Sequence, residues 1–242
     1  MNTQLPLRLQ LRDDAAFKNF KSGRNTELLS LLQQDAVSEH DWLTCIYGER
    51  GSGKSHLLQA ACHQTQHRQE AIFYLPMSQA SDWSPAVLAG LEETALVCLD
   101  DVECVAGQGP WEMALFNLLE ARRTRRGRTI ITSTKPLPGI AWTLPDLATR
   151  LNGWGLVFEL HALRDEEKIQ ALQQRGKNRG LELSEDVARY VLTRYPRDMQ
   201  TLFDLMETLD QESLARQRRI TIPLLRRLEQ EGAVNRVTNI SL

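Results

Sequence analysis

The chain has 242 residues, enough for one large domain or for a nucleotide-binding domain followed by a smaller one. With 42% hydrophobic residues, 25% charged residues and a formal net charge of −2, it reads as an ordinary globular protein without an overall nucleic-acid signature. No apolar run approaches a membrane span and the first eleven residues lack the apolar centre of a signal peptide, so cytoplasmic residence without membrane contact is expected.

Residues 1–14 read as a terminal segment. Leucine alternates with polar residues from Gln4 to Leu11, and Pro6 argues against a central strand. Two readings fit: an edge strand or loosely packed tail, or a short peptide offered to a partner's pocket. In the second, Gln4 is the polar anchor and Leu5 and Leu7 are the apolar ones. Spacing alone favours the tail.

Phe17, Phe20, Gly23 and Asn25 follow, and Asn25 or Thr26 is suited to cap a helix over 27–34. Residues 43–47 read as a buried strand and 56–62 as helix. A second strand is expected over 71–75. Ser84-Pro85 suits the start of a helix reaching about residue 93. Residues 96–101 form a continuous apolar run ending in two acids, as inside a parallel sheet. A helix over 110–123, a strand over 128–133 and a strand over 157–160 complete the pattern. From Asp165 onward only helices are expected, over 165–179, 184–194, 198–210 and 222–230.

Strands alternating with helices indicate an α/β domain with a parallel sheet. The expected division is therefore a tail over 1–14, an α/β domain over 15–162 and a helical domain over 163–242. Cys45 and Cys98 fall inside apolar strands, which is core chemistry rather than a disulfide or zinc framework. His63 and His67 share a helix face without a third ligand in evidence, so no metal site is read there.

Between the strand at 43–47 and the helix after it lies Gly48-Glu49-Arg50-Gly51-Ser52-Gly53-Lys54-Ser55. It matches G-x-x-x-x-G-K-[ST] at every fixed position, in the strand–loop–helix setting that a phosphate-binding loop requires. Glycines let consecutive N–H groups turn inward around phosphate oxygens, and the helix beginning near Lys54 adds its positive end. Lys54 is expected to reach the β- and γ-phosphates and Ser55 to ligate Mg²⁺. Asp100, at the end of an apolar strand, suits the second Mg²⁺ contact, and Asp101 suits polarising a water. Thr132 and Ser133 end the next strand, where open parallel sheets gather ligands; a γ-phosphate contact and a plain turn residue are both open. The arginines at 122, 123, 125, 126 and 128 fit a solvated helix terminus, with DNA contact as the alternative.

With these motifs in place, the chain resembles the AAA+ core of the DnaA family of bacterial replication initiators, from about Phe17 to Leu228. Phe17-x-x-Phe20-x-x-Gly23-x-Asn25 resembles the segment that covers adenine in that family. Asp100-Asp101-Val102 is similar to its Walker-B region. Ile131-Thr132-Ser133 is similar to its sensor-1 strand, with Thr134 where an Asp is usual. Arg150-Leu151 before Gly153-Trp154-Gly155 resembles the run whose Arg is the arginine finger, and Arg197-Asp198-Met199 resembles the sensor-2 helix start.

The resemblance implies an AAA+ domain followed by a helical lid. It implies ADP or ATP with Mg²⁺, contacted by Gly48, Gly51, Ser52, Gly53, Lys54, Ser55, His56, Ser133 and Arg197. Against the initiators, the chain is expected to have neither their helix-turn-helix nor their long N-terminal domain, and it is short between residues 75 and 96. Gln4-Leu5-Pro6-Leu7 resembles the peptide by which bacterial replication proteins bind the sliding clamp. Together these features imply a regulatory member of the family. It would bind the DNA-loaded clamp (the β subunit), meet DNA only through it, and promote hydrolysis of DnaA-bound ATP by lending Arg150 in trans. Self-association through AAA+ interfaces is also implied, and its own ATPase is expected to be weak or absent. An autonomous AAA+ ATPase such as a helicase loader is the alternative.

Overall fold

The structure is a computed structural model and describes residues 11–12, 15–34, 42–216, 219–232 and 234. The chain divides into two compact units, residues 1–49 with 54–161 and residues 50–53 with 162–242.

The first unit is built on five strands: β1 Leu43–Tyr47, β2 Ile72–Pro76, β3 Leu96–Asp100, β4 Arg128–Ser133 and β5 Leu156–Glu159. All pair in parallel, in the order β2-β3-β4-β1-β5. Parallel pairing needs a crossover after each strand, so helices cover both faces and the strands read as continuous apolar runs. The α-helices among its described residues are α1 Thr26–Gln33, α2 Lys54–His67, α3 Gly109–Arg125 and α4 Pro145–Gly153.

Alternation along each strand sorts the core into two layers. Ile46, Leu96, Cys98 and Ile130 face Leu28 and Leu32 of α1 and Leu57 and Leu58 of α2. Leu43, Cys45, Val97, Leu99 and Ile131 face Leu115 and Leu118 of α3 and Leu147 and Leu151 of α4. Cys45, Cys62 and Cys98 are buried thiols, and burial pushes Cys45 up to about 12 and Cys98 well above the ordinary thiol value.

Two local expectations change. The helix expected from Pro85 to about residue 93 is only a short 3-10 turn, Pro85–Leu88. Ser84 caps it as the sequence suggests, but Ala89 is already extended and Gly90 sits at φ 80°, which turns the chain away. Conversely, α4 was read as no element in the sequence, although it carries Arg150. Its N-cap position is Leu144, which has no capping side chain. The oxygen that holds this helix end comes from α3 instead.

Among the described residues the second unit has four helices: α5 Asp165–Asn178, α6 Glu185–Arg194, α7 Met199–Arg216 and α8 Ile222–Gln230. Its core is separate and includes Leu172, Val187, Val191, Leu202, Met206, Leu209, Leu225 and Leu228. Ser184 and Thr221 accept from backbone N–H groups to start α6 and α8. No described helix is long and apolar enough to cross a membrane.

Candidate functional site

The glycine-rich loop leaves β1 beside β4. Tyr47 lies level with Ser133, and the Gly48 N–H donates to the Ser133 carbonyl at 3.1 Å. Gly51 at φ 77° and Gly53 at φ 103° adopt conformations that side-chain-bearing residues rarely hold. The turn is closed by α2, which starts at Lys54. Lys54 is buried, and its ammonium donates to the carbonyls of Gly48 at 2.9 Å and Glu49 at 3.2 Å. Among the described residues no carboxylate pairs with it. Ser52 Oγ is also buried and without a hydrogen-bond partner among the described residues. A buried cation held only by neutral carbonyls at a helix N-terminus suits an anion of phosphate type.

His56 follows Ser55 on the first turn of α2. Its ring lies 5.8 Å from that of Phe20, and its Nε2 donates to the Ala16 carbonyl at 3.1 Å. This ties the 3-10 turn Phe17–Asn19 to the helix behind the loop. Asn25 stands at the N-cap of α1 but makes no side-chain cap. Its amide brackets the backbone of His161 instead, donating to the carbonyl and accepting from the N–H, both at 2.9 Å.

Asp100 closes β3 and is buried. Thr132 donates to its Oδ1 at 2.5 Å and Tyr74 to its Oδ2 at 3.0 Å, while Gln59 donates to the Tyr74 hydroxyl at 3.2 Å. No Lys, Arg or His pairs with Asp100 among the described residues. A buried carboxylate held by two neutral hydroxyls fits an oxygen-seeking cation. Burial first, then the Asp100 charge, pushes the Tyr74 phenol far above its ordinary value, so it stays a donor. Asp101 enters the left-handed region at φ 54° as the chain leaves the strand, and its N–H donates to Thr132 Oγ1 at 2.8 Å. Ser133 turns its hydroxyl to the Lys135 carbonyl at 2.6 Å. Thr134 donates both its N–H, at 2.7 Å, and its hydroxyl, at 2.6 Å, to Glu103 Oε1. Tyr74 and Gln59 were missed in the sequence. The available signal was a Tyr near the end of an apolar strand and a Gln on a helix that is otherwise packed inward.

Arg150 lies near the end of α4. Its Nε donates to Glu120 Oε1 of α3 at 3.0 Å, and its guanidinium lies 4.7 Å from the centre of the Trp154 ring and 5.7 Å from that of Phe116. Glu112, fully buried one helical stretch earlier in α3, accepts from the N–H groups of Gly107, Thr143 and Leu144 at 2.6, 3.1 and 2.6 Å. One helix therefore grips α4 at its start through Glu112 and near its end through Glu120.

In the second unit, Arg197 precedes α7 rather than opening it, pairing with Asp165 at 3.2 Å and donating to the Leu192 carbonyl at 3.2 Å. The arginine cluster at 122–128 lies at the end of α3, where Arg123, Arg125 and Arg126 are exposed as expected of a solvated terminus, but Arg122 and Arg128 depart from that expectation. Arg122 is fully buried. Arg128 donates to the carbonyls of Leu31, Leu32 and Gln34 at the end of α1. Arg123 stacks 4.3 Å from the centre of Trp154, and Arg125 pairs with Glu93. Gln4, Leu5 and Leu7 lie outside the described residues.

Residues 165–228 match a family model described as the lid domain of Hda. Domain III of the Thermotoga maritima replication initiation protein DnaA superposes with a TM-score of 0.74 at 17% identity, covering 91% of this chain and 98% of that one. A replication initiator DnaA bound to AMPPCP and single-stranded DNA gives 0.72 at 20% identity, covering 86% and 69%. AMPPCP-bound DnaA from Aquifex aeolicus gives 0.66 at 22% identity, covering 82% and 66%. The fold is that of the DnaA AAA+ domains.

Proposed function

From a DnaA-like AAA+ fold that carries an Hda lid, we propose that the chain is a nucleotide-holding regulator of replication initiation that makes DnaA hydrolyse its own ATP. The observation that carries this reading is the lid match at residues 165–228 behind a complete phosphate-binding loop. The AMPPCP named for two of the similar DnaA structures supports a nucleotide at that loop.

In this reading ADP or ATP lies in the loop of Gly48, Gly51, Ser52 and Gly53. Lys54 leaves its two carbonyls for the phosphates, and Ser133 and Arg197 add polar contacts at their edge. His56, backed by Phe20, braces the adenine side. Bound Mg²⁺, held by Ser55 and Asp100, would supply charge neutralisation between phosphate oxygens. Asp101 stands beside the acid to orient a water. The nucleotide serves mainly to fix the shape of the chain.

The work is done on the partner. Arg150 reaches the nucleotide of DnaA and neutralises charge that develops on the transferred phosphoryl group. Gln4, Leu5 and Leu7 bind the sliding clamp, which confines the reaction to clamps loaded on DNA. Contact with DNA itself is through the clamp, and copies of the chain associate through AAA+ interfaces.

The test is hydrolysis of ATP bound to DnaA, measured alone, with this chain, and with this chain plus clamp on DNA. Stimulation that requires both additions is expected. ATP turnover by the chain alone, indifferent to DnaA and clamp, would favour an autonomous AAA+ ATPase instead.

A further inference from the structure

Glu112, Phe116 and Glu120 recur every four residues on α3 and so share the helix face that meets α4. Glu112 fixes the start of α4 through the N–H of Leu144, Phe116 underlies Arg150, and Glu120 accepts from its Nε. The Trp154 ring, just past the end of α4, stacks on the same guanidinium. Arg150 is thus held at the face of its guanidinium and at Nε. Its two outer nitrogens make no hydrogen bond to any described residue, and the side chain stays 32% exposed.

That division of labour is informative. A guanidinium carries five N–H donors, and its outer pair forms the fork that matches phosphate oxygens. A carboxylate can pair with a guanidinium either at its Nε edge or at its outer fork. Glu120 takes Nε and leaves the fork unengaged. We propose that Glu120 is a positioning residue: with Trp154 as a platform, it holds the Arg150 guanidinium with its fork directed outward, ready for the phosphoryl group of a partner's nucleotide. The inference rests on the reading of Arg150 as an arginine finger. Its physical basis is preorganisation. An unrestrained Arg side chain populates many rotamers, and freezing them on docking would be charged against the rate.

Two measurements on the intact chain test this. The first does not involve DnaA. The Nε–H of Arg150 should exchange slowly with water in the wild type, stay protected in Glu120→Gln, which keeps an acceptor, and exchange freely in Glu120→Ala. The second is the rate of DnaA-bound ATP hydrolysis at saturating regulator. Glu120→Ala should lower that rate about tenfold, the scale of the rotamer freedom an Arg regains. The concentration for half-maximal effect should be unchanged, and Glu120→Gln should restore most of the rate. Arg150→Ala serves as reference. If it abolishes stimulation while Glu120→Ala leaves the rate unchanged or raises it, the finger stands and positioning by Glu120 is overturned. If Arg150→Ala stimulates normally, the finger reading fails and takes this inference with it. Fast exchange of the wild-type Nε–H overturns the inference whatever DnaA does.

Discussion

A guanidinium removed from water needs acceptors for its five N–H donors, and Arg122 makes four hydrogen bonds. Its Nε donates to Thr129 Oγ1 at 2.8 Å, Nη1 to the carbonyls of Leu91 at 2.6 Å and Thr94 at 2.9 Å, and Nη2 to the carbonyl of Arg128 at 2.6 Å. Gly127 makes room for it, since a Cβ there would lie 2.8 Å from the guanidinium carbon. Arg122→Ala would take the donor from three carbonyls and a hydroxyl, of which the Leu91 carbonyl keeps the Thr94 N–H and the Thr129 hydroxyl keeps the Gly127 carbonyl, at about 1–3 kcal/mol for each buried group left unsatisfied. A loss of about 2 kcal/mol or more is expected, read as a lower urea midpoint at unchanged slope. None of this was legible in the sequence, where Arg122 is one of five arginines in a short run. Its burial depends on acceptors from two separate segments, 91–94 and 128–129. Lys54 and Asp100 were legible because a phosphate-binding loop is a local motif and its acid closes an apolar strand. Lys54→Ala should abolish binding of a fluorescent ADP analogue, and wild-type affinity in that titration would remove the loop from the account.

The buried titratable groups also set an alkaline limit. Burial holds the Cys45 thiol up to about 12 and raises Cys98 and Tyr74 as well. Above the ordinary thiol value of 9.0 the unfolded chain releases protons that the folded chain keeps. The stability these groups contribute is therefore complete below that value and is lost as pH rises toward the folded value. Arg122 works in the opposite direction. Burial lowers it to about 10, so its cost is relieved as pH rises from there. Three groups oppose one, and the urea midpoint should fall from about pH 9 upward. Cys45→Val, which removes one titration at similar volume, should make that fall shallower.

At the scale of elements, α4 is the instructive case. Helices with their own caps were found from the sequence: Ser184 starts α6 and Thr221 starts α8. A helix capped from elsewhere has no such signature, and α4 borrows its cap from Glu112, more than thirty positions away from Leu144. The turn at Pro85 is the reverse, a well-signed start that Gly90 ends at once. Glu112→Ala would leave three backbone N–H groups without their acceptor, at about 1–3 kcal/mol for each one that stays buried. Glu112→Gln keeps an oxygen and should cost less. The expected order of melting temperatures is wild type, then Glu112→Gln, then Glu112→Ala. Stimulation of DnaA should follow the same order, because α4 carries Arg150. A variant that melts early yet stimulates fully would separate Glu112 from the presentation of the finger.

At the scale of the molecule, the parallel sheet was legible because β3 is apolar throughout and strands alternate with helices up to β5. The order β2-β3-β4-β1-β5 brings the loop after β1, the acid of β3 and the hydroxyls of β4 to one end of neighbouring strands. Local patterns do not encode that order, although β4 between β1 and β3 is what joins Thr132 to Asp100. The N-terminal leucines belong to this scale too, since their proposed role lies in assembly. A Leu5→Ala, Leu7→Ala variant should melt like the wild type and bind ADP normally. It should lose clamp binding by well over tenfold, as two buried leucines contribute roughly 1.5–3 kcal/mol each. Surface plasmon resonance against immobilised clamp is the readout, and equal binding would assign the contact to other residues.

The central claim is that this chain acts on DnaA through Arg150, and the most direct measurement is the rate at which DnaA loses labelled ATP as ADP in the presence of DNA-loaded clamp. With the wild-type chain the rate should rise. With Arg150→Ala, shown beforehand to fold and to bind nucleotide normally, the rise should vanish, as arginine fingers contribute about 10³–10⁵ in related phosphoryl transfers. Arg150→Lys should recover little, because an ammonium lacks the fork. Hydrolysis at the wild-type rate with Arg150→Ala would contradict the account.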